Sequence, residues 1–400
     1  MIALAFFATL INYLDRQSLS VAAPVIRLQF HLSNVGYSRI LFAFLLAYTI
    51  MNGVSGLVID RLGTRVGYAL FVGWWSLWAL LHALARGAIS LGTFRFLLGI
   101  GEAGNWPGAV KVVAEWFPAE ERSLASGIFN SGSAAGAILA PPVIAFLLLK
   151  FGWRSAFVMV GCLGFVWLAA WLRLYRLPDA ADRPALAPLP LRQLLQSRFV
   201  WSFMLSKIFM DPVWYFYTFW FPEYLHDSRH FDMTNIGRYA WIPFFVAGLG
   251  SAGGGFIAKG FLNLGMSVTA ARKSAVTIAA LLMTMAIPAV LTENSALSIT
   301  FVSVAMAGYT AALANMLAMP ADIFPAKAVA SVYGIASMGS GFGGMIFMLL
   351  TGWMVDRYSY VPVFLLFGLI PLVCAFVLWT MIGPLAENPH PSSGAFPIQL

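Results

Sequence analysis

Apolar residues in this chain run in blocks of twenty or more, and that block length constrains the fold class before any motif does. A helix rises about 1.5 Å per residue, so a run of about twenty crosses a hydrocarbon core of roughly 30 Å. Hydrophobic residues make up 60% of the 400, and charged residues only 10%. A soluble domain carries about a quarter charged residues, so this balance belongs in lipid.

Run lengths and the Gly, Pro and charged breaks between them predict about twelve spanning helices, an all-α membrane protein. The first six fall near 2–26, 37–59, 66–85, 90–116, 123–149 and 154–175, and the second six near 199–225, 236–258, 269–291, 296–320, 328–354 and 360–382. The chain divides into a six-helix half at 1–176, a hydrophilic cytoplasmic linker at 177–197, a second half at 198–383 and a Pro- and Ser-rich tail at 384–400, read as disordered. With both termini in the cytoplasm, twelve basic residues fall in cytoplasmic loops and eight in the opposite ones. The bias has the sign of the positive-inside rule. The net charge of +8 is scattered through these loops and forms no tract, which fits lipid headgroups and excludes a nucleic-acid partner. The first apolar run has no basic n-region and no small-residue cleavage site, so it reads as a helix and not a signal peptide.

The halves repeat. Ala114-Glu-Trp-Phe-Pro-Ala119 matches Ala321-Asp-Ile-Phe-Pro-Ala326 at an offset of 207, and the same offset aligns Gly127, Gly132 and Gly136 with Gly334, Gly339 and Gly343. An even six-helix offset gives both copies one orientation, as in parallel-repeat transporters with a site between the halves.

Between the second and third helices stands GLVIDRLGTR, Gly56–Arg65, reading G-x3-D-R-x-G-x-R. On its own this is a basic turn that obeys the positive-inside rule. It resembles the signature cytoplasmic loop of the major facilitator superfamily, whose aspartate and arginines lock the cytoplasmic gate. That resemblance implies a gate at Gly56, Asp60, Arg61, Gly63 and Arg65. Within the superfamily the chain is similar to the anion:cation symporter branch, bacterial hexuronate and galactonate carriers in particular. NYLDR at Asn12–Arg16, the stretch Gly101–Pro142 and DPVWYF at Asp211–Phe216 carry the likeness. The chain departs from the pattern by lacking a basic tail before the first helix, which implies a late recorded start. Only Lys259, Arg272 and Lys273 remain of a second basic gate.

An ionisable side chain at mid-bilayer costs at least about 2.5–3.5 kcal/mol, so each needs a partner, an aqueous cavity or a function. Asp15 falls near mid-depth of the first helix, and Arg16 points about 100° away from it. Arg95 and Glu102, seven apart on the fourth helix, share one face about 10 Å apart along it. A carboxylate out of water can hold a proton near neutral pH, while Arg stays charged and grips a carboxylate through two hydrogen bonds. The four make either a proton and anion site or a structural salt-bridge set. The resemblance implies proton carriage at Asp15 and Glu102 and substrate contact at Arg16, with Arg95 tuning Glu102. Lys207 and Asp211, one turn apart before Pro212, form either a self-neutralised pair or part of the anion site. Tyr13, Tyr48, Asn130 and Asn315 suit sugar hydroxyls or, equally, helix-packing hydrogen bonds.

Gly99-x-Gly101-x-x-Gly104 fits a dinucleotide fingerprint but lies inside a span, where glycines allow close helix contact. Cys162 and Cys374 read as packing residues, and His31, His226 and His230 as loop residues. Neither metal nor cofactor is indicated, protons serving as the coupling ion. No catalytic cluster marks an enzyme. The expected function is proton-coupled symport of a sugar acid, hexuronate or hexonate, by a monomer in a prokaryotic inner membrane. Transport or exchange of another organic anion, such as a dicarboxylate, aromatic acid or organophosphate, is the alternative.

Overall fold

The computed structural model describes residues 1–117, 122–176, 194–323 and 326–382, and among these it contains no strand. The helices are α1 Ile2–Phe30, α2 Asn34–Leu62, α3 Thr64–Leu81, α4 Ala88–Glu102, α5 Asn105–Trp116, α6 Arg122–Phe151, α7 Trp153–Leu174, α8 Arg198–Arg229, α9 Met233–Tyr239, α10 Ile242–Asn263, α11 Val268–Met283, α12 Ala286–Leu291, α13 Ser295–Ile323, α14 Ala326–Arg357 and α15 Tyr360–Met381. The all-α membrane class holds. Among the described residues, nine segments are long and apolar enough to cross a bilayer. Joining helices across their short breaks gives an order consistent with twelve passages. The linker from 177 to 193, the tail from 383 and most of the Ala114–Ala119 and Ala321–Ala326 side chains lie outside the described residues.

Three expected continuous spans are broken instead, at 103–104, 240–241 and 284–285. A proline follows each break by three or four residues: Pro107, Pro243 and Pro288. Proline has no N–H and clashes with the carbonyl four residues back, so the turn before it loses its ladder bond. At the first break the carbonyl freed by Pro107 belongs to Ala103. It accepts instead from the Ser55 hydroxyl at 3.0 Å. The break therefore leaves no buried carbonyl unpaired there.

The chain packs as two compact units. Of the described residues, the first takes those within 1–176, 215–244 and 345–359, and the second those within 194–214, 245–344 and 360–382. In the first unit α1 lies along α6, where a side chain on Gly136 would meet the Leu10 carbonyl at 2.5 Å. In the second, α14 lies on α8, and a side chain on Gly339 would meet the Met204 carbonyl, also at 2.5 Å. Gly132 meets Phe6 and Gly343 meets Ile208 in the same manner. The sequence repeat is thus a packing repeat: each unit seats one helix backbone against another where only glycine fits.

Candidate functional site: a charged cluster on α1 and α4

Helical spacing sets the cluster. Asp15 and Arg16 occupy the middle of α1, and Arg95 and Glu102 share a face of α4. All four are buried, Asp15 and Glu102 completely. Arg16 donates through Nε and Nη2 to one oxygen of Glu102, at 3.1 and 2.9 Å. The rings of Tyr13, Phe44 and Tyr48 surround its guanidinium at 5.3, 5.3 and 4.7 Å. Stacked rings hold a guanidinium in plane, and a desolvated cation on aromatic faces gains about 2 kcal/mol. Arg95 also lies over the Phe44 ring, 5.7 Å from its centroid, and gives Nη2 to the Arg16 carbonyl at 3.4 Å.

Much of the cluster's bonding capacity is unspent. Both Asp15 oxygens, Oε1 of Glu102, and Nε and Nη1 of Arg95 have no hydrogen-bond partner. Buried polar atoms are normally bonded, so this concentration of open donors and acceptors makes the cluster the candidate site. The structure brings together Asp15, Arg16, Arg95, Glu102, Tyr13 and Tyr48. Phe44 joins them without any sequence signal beyond its apolar block. Gln17, buried with both amide atoms unbonded, was also unmarked.

Other sequence-marked residues fall elsewhere. Asn130 is exposed on α6. Asn315 on α13 donates to the carbonyls of Gly254 and Ala311, at 2.9 and 3.0 Å, while its buried Oδ1 has no hydrogen-bond partner. In the second unit Lys207 pairs with Asp211 at 2.7 Å and lies 5.1 Å from the Tyr333 ring. The Tyr309 hydroxyl donates to Asp211 at 3.2 Å. In the GLVIDRLGTR loop, Gly56 lies within α2, Gly63 forms the turn with φ +77°, and Arg61 is exposed. Arg65 gives Nη2 to the Leu172 carbonyl at 2.6 Å. The Asp60 side chain lies outside the described residues.

At the end of the first unit away from that loop, segments of the second sequence half clasp the first-half helices. The Ser20 hydroxyl donates to the Thr218 carbonyl at 2.8 Å, and the Tyr37 hydroxyl to the Phe219 carbonyl at 3.0 Å. Asp356 caps α2 from α14, accepting from the backbone N–H groups of Asn34 and Val35 at 2.9 and 2.7 Å. Arg27 pairs with Glu223 at 2.7 Å and with Asp227 at 3.3 Å. His226, expected in a loop, lies in the last turn of α8 beside Asp227. Ligand atoms of Glu223, His226 and Asp227 lie within 4.8 Å of one another. Their i, i+3, i+4 spacing puts them on one helix face. The Arg27 guanidinium offsets one of the two carboxylate charges in that group.

The Major Facilitator Superfamily family model matches residues 5–271 and 255–398. The hexuronate transporter of Escherichia coli strain K12 is 31% identical over 96% of this chain and 93% of its own length. A galacturonate transporter of Dickeya chrysanthemi is 35% identical over 71% of this chain and 88% of its own. The crystal structure of a D-xylose–proton symporter superposes with a TM-score of 0.79 at 14% identity, covering 97% of this chain and 98% of that one. At that identity the match speaks for the fold alone.

Proposed function

As the chain belongs to the Major Facilitator Superfamily, we propose that it moves a sugar acid, a hexuronate or hexonate, across the membrane with protons by alternating access. The relatives named for hexuronate and galacturonate support the substrate class. The observation that carries the coupling is the Arg16–Glu102 pair: the cation suited to a substrate carboxylate is held by a group that a proton can discharge. A proton on Glu102 frees the guanidinium fork, and the substrate carboxylate takes the vacated hydrogen bonds.

Charge accounting favours the same order of events. With both carboxylates ionised, Asp15, Arg16, Arg95 and Glu102 sum to zero. Each proton gained leaves one unit of positive charge in a buried place, which a bound anion offsets. Two carboxylates favour more than one proton per monoanion, hence inward movement of positive charge. Such transport responds to membrane potential by about 2.3 kcal/mol per charge per 100 mV. Tyr13 and Tyr48 supply hydroxyls for the sugar. The cycle closes at the GLVIDRLGTR end through Asp60, Arg61 and Arg65. The proposal takes the protein as a monomer in a prokaryotic inner membrane, with both termini cytoplasmic.

Proteoliposome uptake over a panel of uronates, aldonates and dicarboxylates, with and without a pH gradient, tests this. A sugar acid should accumulate, about tenfold per pH unit for each coupled proton. Asp15→Asn and Glu102→Gln should each abolish accumulation, while at least one keeps counterflow exchange, which needs no net proton release. Accumulation by both variants with an alkaline interior removes the proton assignment.

A further inference from the structure

The clasp contains a buried carboxylate that the cycle above leaves unused. Glu223 is fully buried near the end of α8. One of its oxygens accepts from Arg27 at 2.7 Å, and the other has no hydrogen-bond partner. It lies on the wall of a cavity of about 210 Å³ formed with Pro24, Arg27, His31, His226 and Asp227. Leu28, also on that wall, is well exposed, so the cavity opens at the surface.

We propose that Glu223 is a third proton-accepting group of the transport cycle, whose protonation releases Arg27 and loosens the clasp at the end of the bundle away from the GLVIDRLGTR loop. The inference rests on the proton-coupled reading above. Water in the cavity delivers a proton to the free oxygen, Oε1, and the carboxylate becomes a neutral acid. No other bond forms or breaks. Arg27 keeps its contact with Asp227, which is partly exposed and so worth little in water. The buried attraction between α1 and α8 is what disappears.

The groups around Glu223 explain why it is the responsive member. Arg27 and, just past α1, His31 face it from one side; Tyr37 of α2 lies within electrostatic reach. His226 and Asp227 follow one turn along α8. The remaining contacts of the clasp run from Ser20 and Tyr37 hydroxyls to backbone carbonyls, which do not titrate. Asp356 is exposed, where a charge is screened and its loss changes little. Breaking a buried pair from one side leaves a desolvated charge behind, so discharging Glu223 weakens the closed clasp far more. The direction suits the coupling: protons that load the carrier also open the end at which they arrive.

The test measures distances across the clasp in purified protein in nanodiscs. Spin labels go on cysteines placed at Leu28 and Tyr358, both exposed, in a Cys162→Ser, Cys374→Ala background. In the parent, a longer-distance population should grow as pH falls from 7.5 to 5.5, by at most tenfold per pH unit for one proton. Glu223→Gln should show the longer population at both pH values, and so should Arg27→Gln. Glu223→Asp should keep the response with a shifted midpoint. A Glu223→Gln protein that opens yet retains the parent's pH response makes the pair merely structural and overturns the proposal. If Glu223→Gln does not fold, an unshifted midpoint in Glu223→Asp does the same. Parent uptake that ignores a pH gradient overturns the coupling reading and this inference together. Uptake that follows the gradient beside an unaltered Glu223→Gln response overturns this inference alone.

Discussion

The two sequence halves use the same helix pair for opposite purposes. Glycine seating relates α1 to α8 by an offset of 198, Phe6 to Met204 and Leu10 to Ile208. The repeat relates α4 to α13 by 207. Those offsets carry Arg16 onto Trp214 and Glu102 onto Tyr309. In the first unit the pair is a buried ion pair at 2.9 Å; in the second it is two stacked rings with centroids 5.3 Å apart. The second unit's own charges, Lys207 and Asp211, close on each other within one helical turn and take a hydroxyl from Tyr309. A pair on one helix can satisfy itself without help from another helix. A pair across two helices cannot, and the first unit also keeps three carboxylates with unbonded oxygens, Asp15, Glu102 and Glu223. Among the described residues, the buried carboxylate oxygens without a hydrogen-bond partner all lie in the first unit.

Removing one partner of the second-unit pair should give the largest effect. Asp211→Asn leaves Lys207 buried without its carboxylate and should cost about 3–5 kcal/mol of stability, read as a drop in melting temperature in detergent. Lys207→Met with Asp211→Leu should recover most of that loss and bind substrate. The matching double change, Arg16→Met with Glu102→Leu, should fold and bind nothing. Loss of binding in both doubles breaks the contrast and makes Lys207 an anion site.

Arg16→Lys sharpens it. The charge stays, but the planar fork, its two bonds and its fit among three rings go. Calorimetry should show binding weakened about 100-fold, roughly 2.7 kcal/mol. Unchanged affinity moves the anion site out of the first unit.

The smallest expected effect tests the symmetry itself. Gly136→Ala and Gly343→Ala each push a methyl toward a facing carbonyl, and overpacking of that kind costs about 1–3 kcal/mol. Equal losses in thermal stability are expected. A loss at one position alone shows that the halves do not share their helix seating.

Much of this was legible beforehand because the signals are local. Apolar block length specifies spanning helices, and the Gly132/Gly136 and Gly339/Gly343 spacing repeats at the offset that the packing repeats. The breaks at Pro107, Pro243 and Pro288 were also available from the sequence, since a missing N–H acts within one turn. They were missed because apolar periodicity runs unbroken through them. The clasp was less accessible. Arg27 and Glu223 stand 196 residues apart, and Asp356 reaches α2 across 322.

Composition and run length by themselves determined a helical membrane protein with buried charge in α1, α4 and α8. In lipid each backbone segment must satisfy its own hydrogen bonds, so secondary structure follows from local sequence. Which buried charge meets which partner was decided only by the tertiary structure. Asp15 sits next to Arg16 in the chain, yet Arg16 turns to Glu102 on another helix. Helix rotation and packing, not sequence distance, choose the partner. That choice leaves the carboxylate of Asp15 unbonded and puts the Glu102 carboxylate on a guanidinium framed by three aromatic rings.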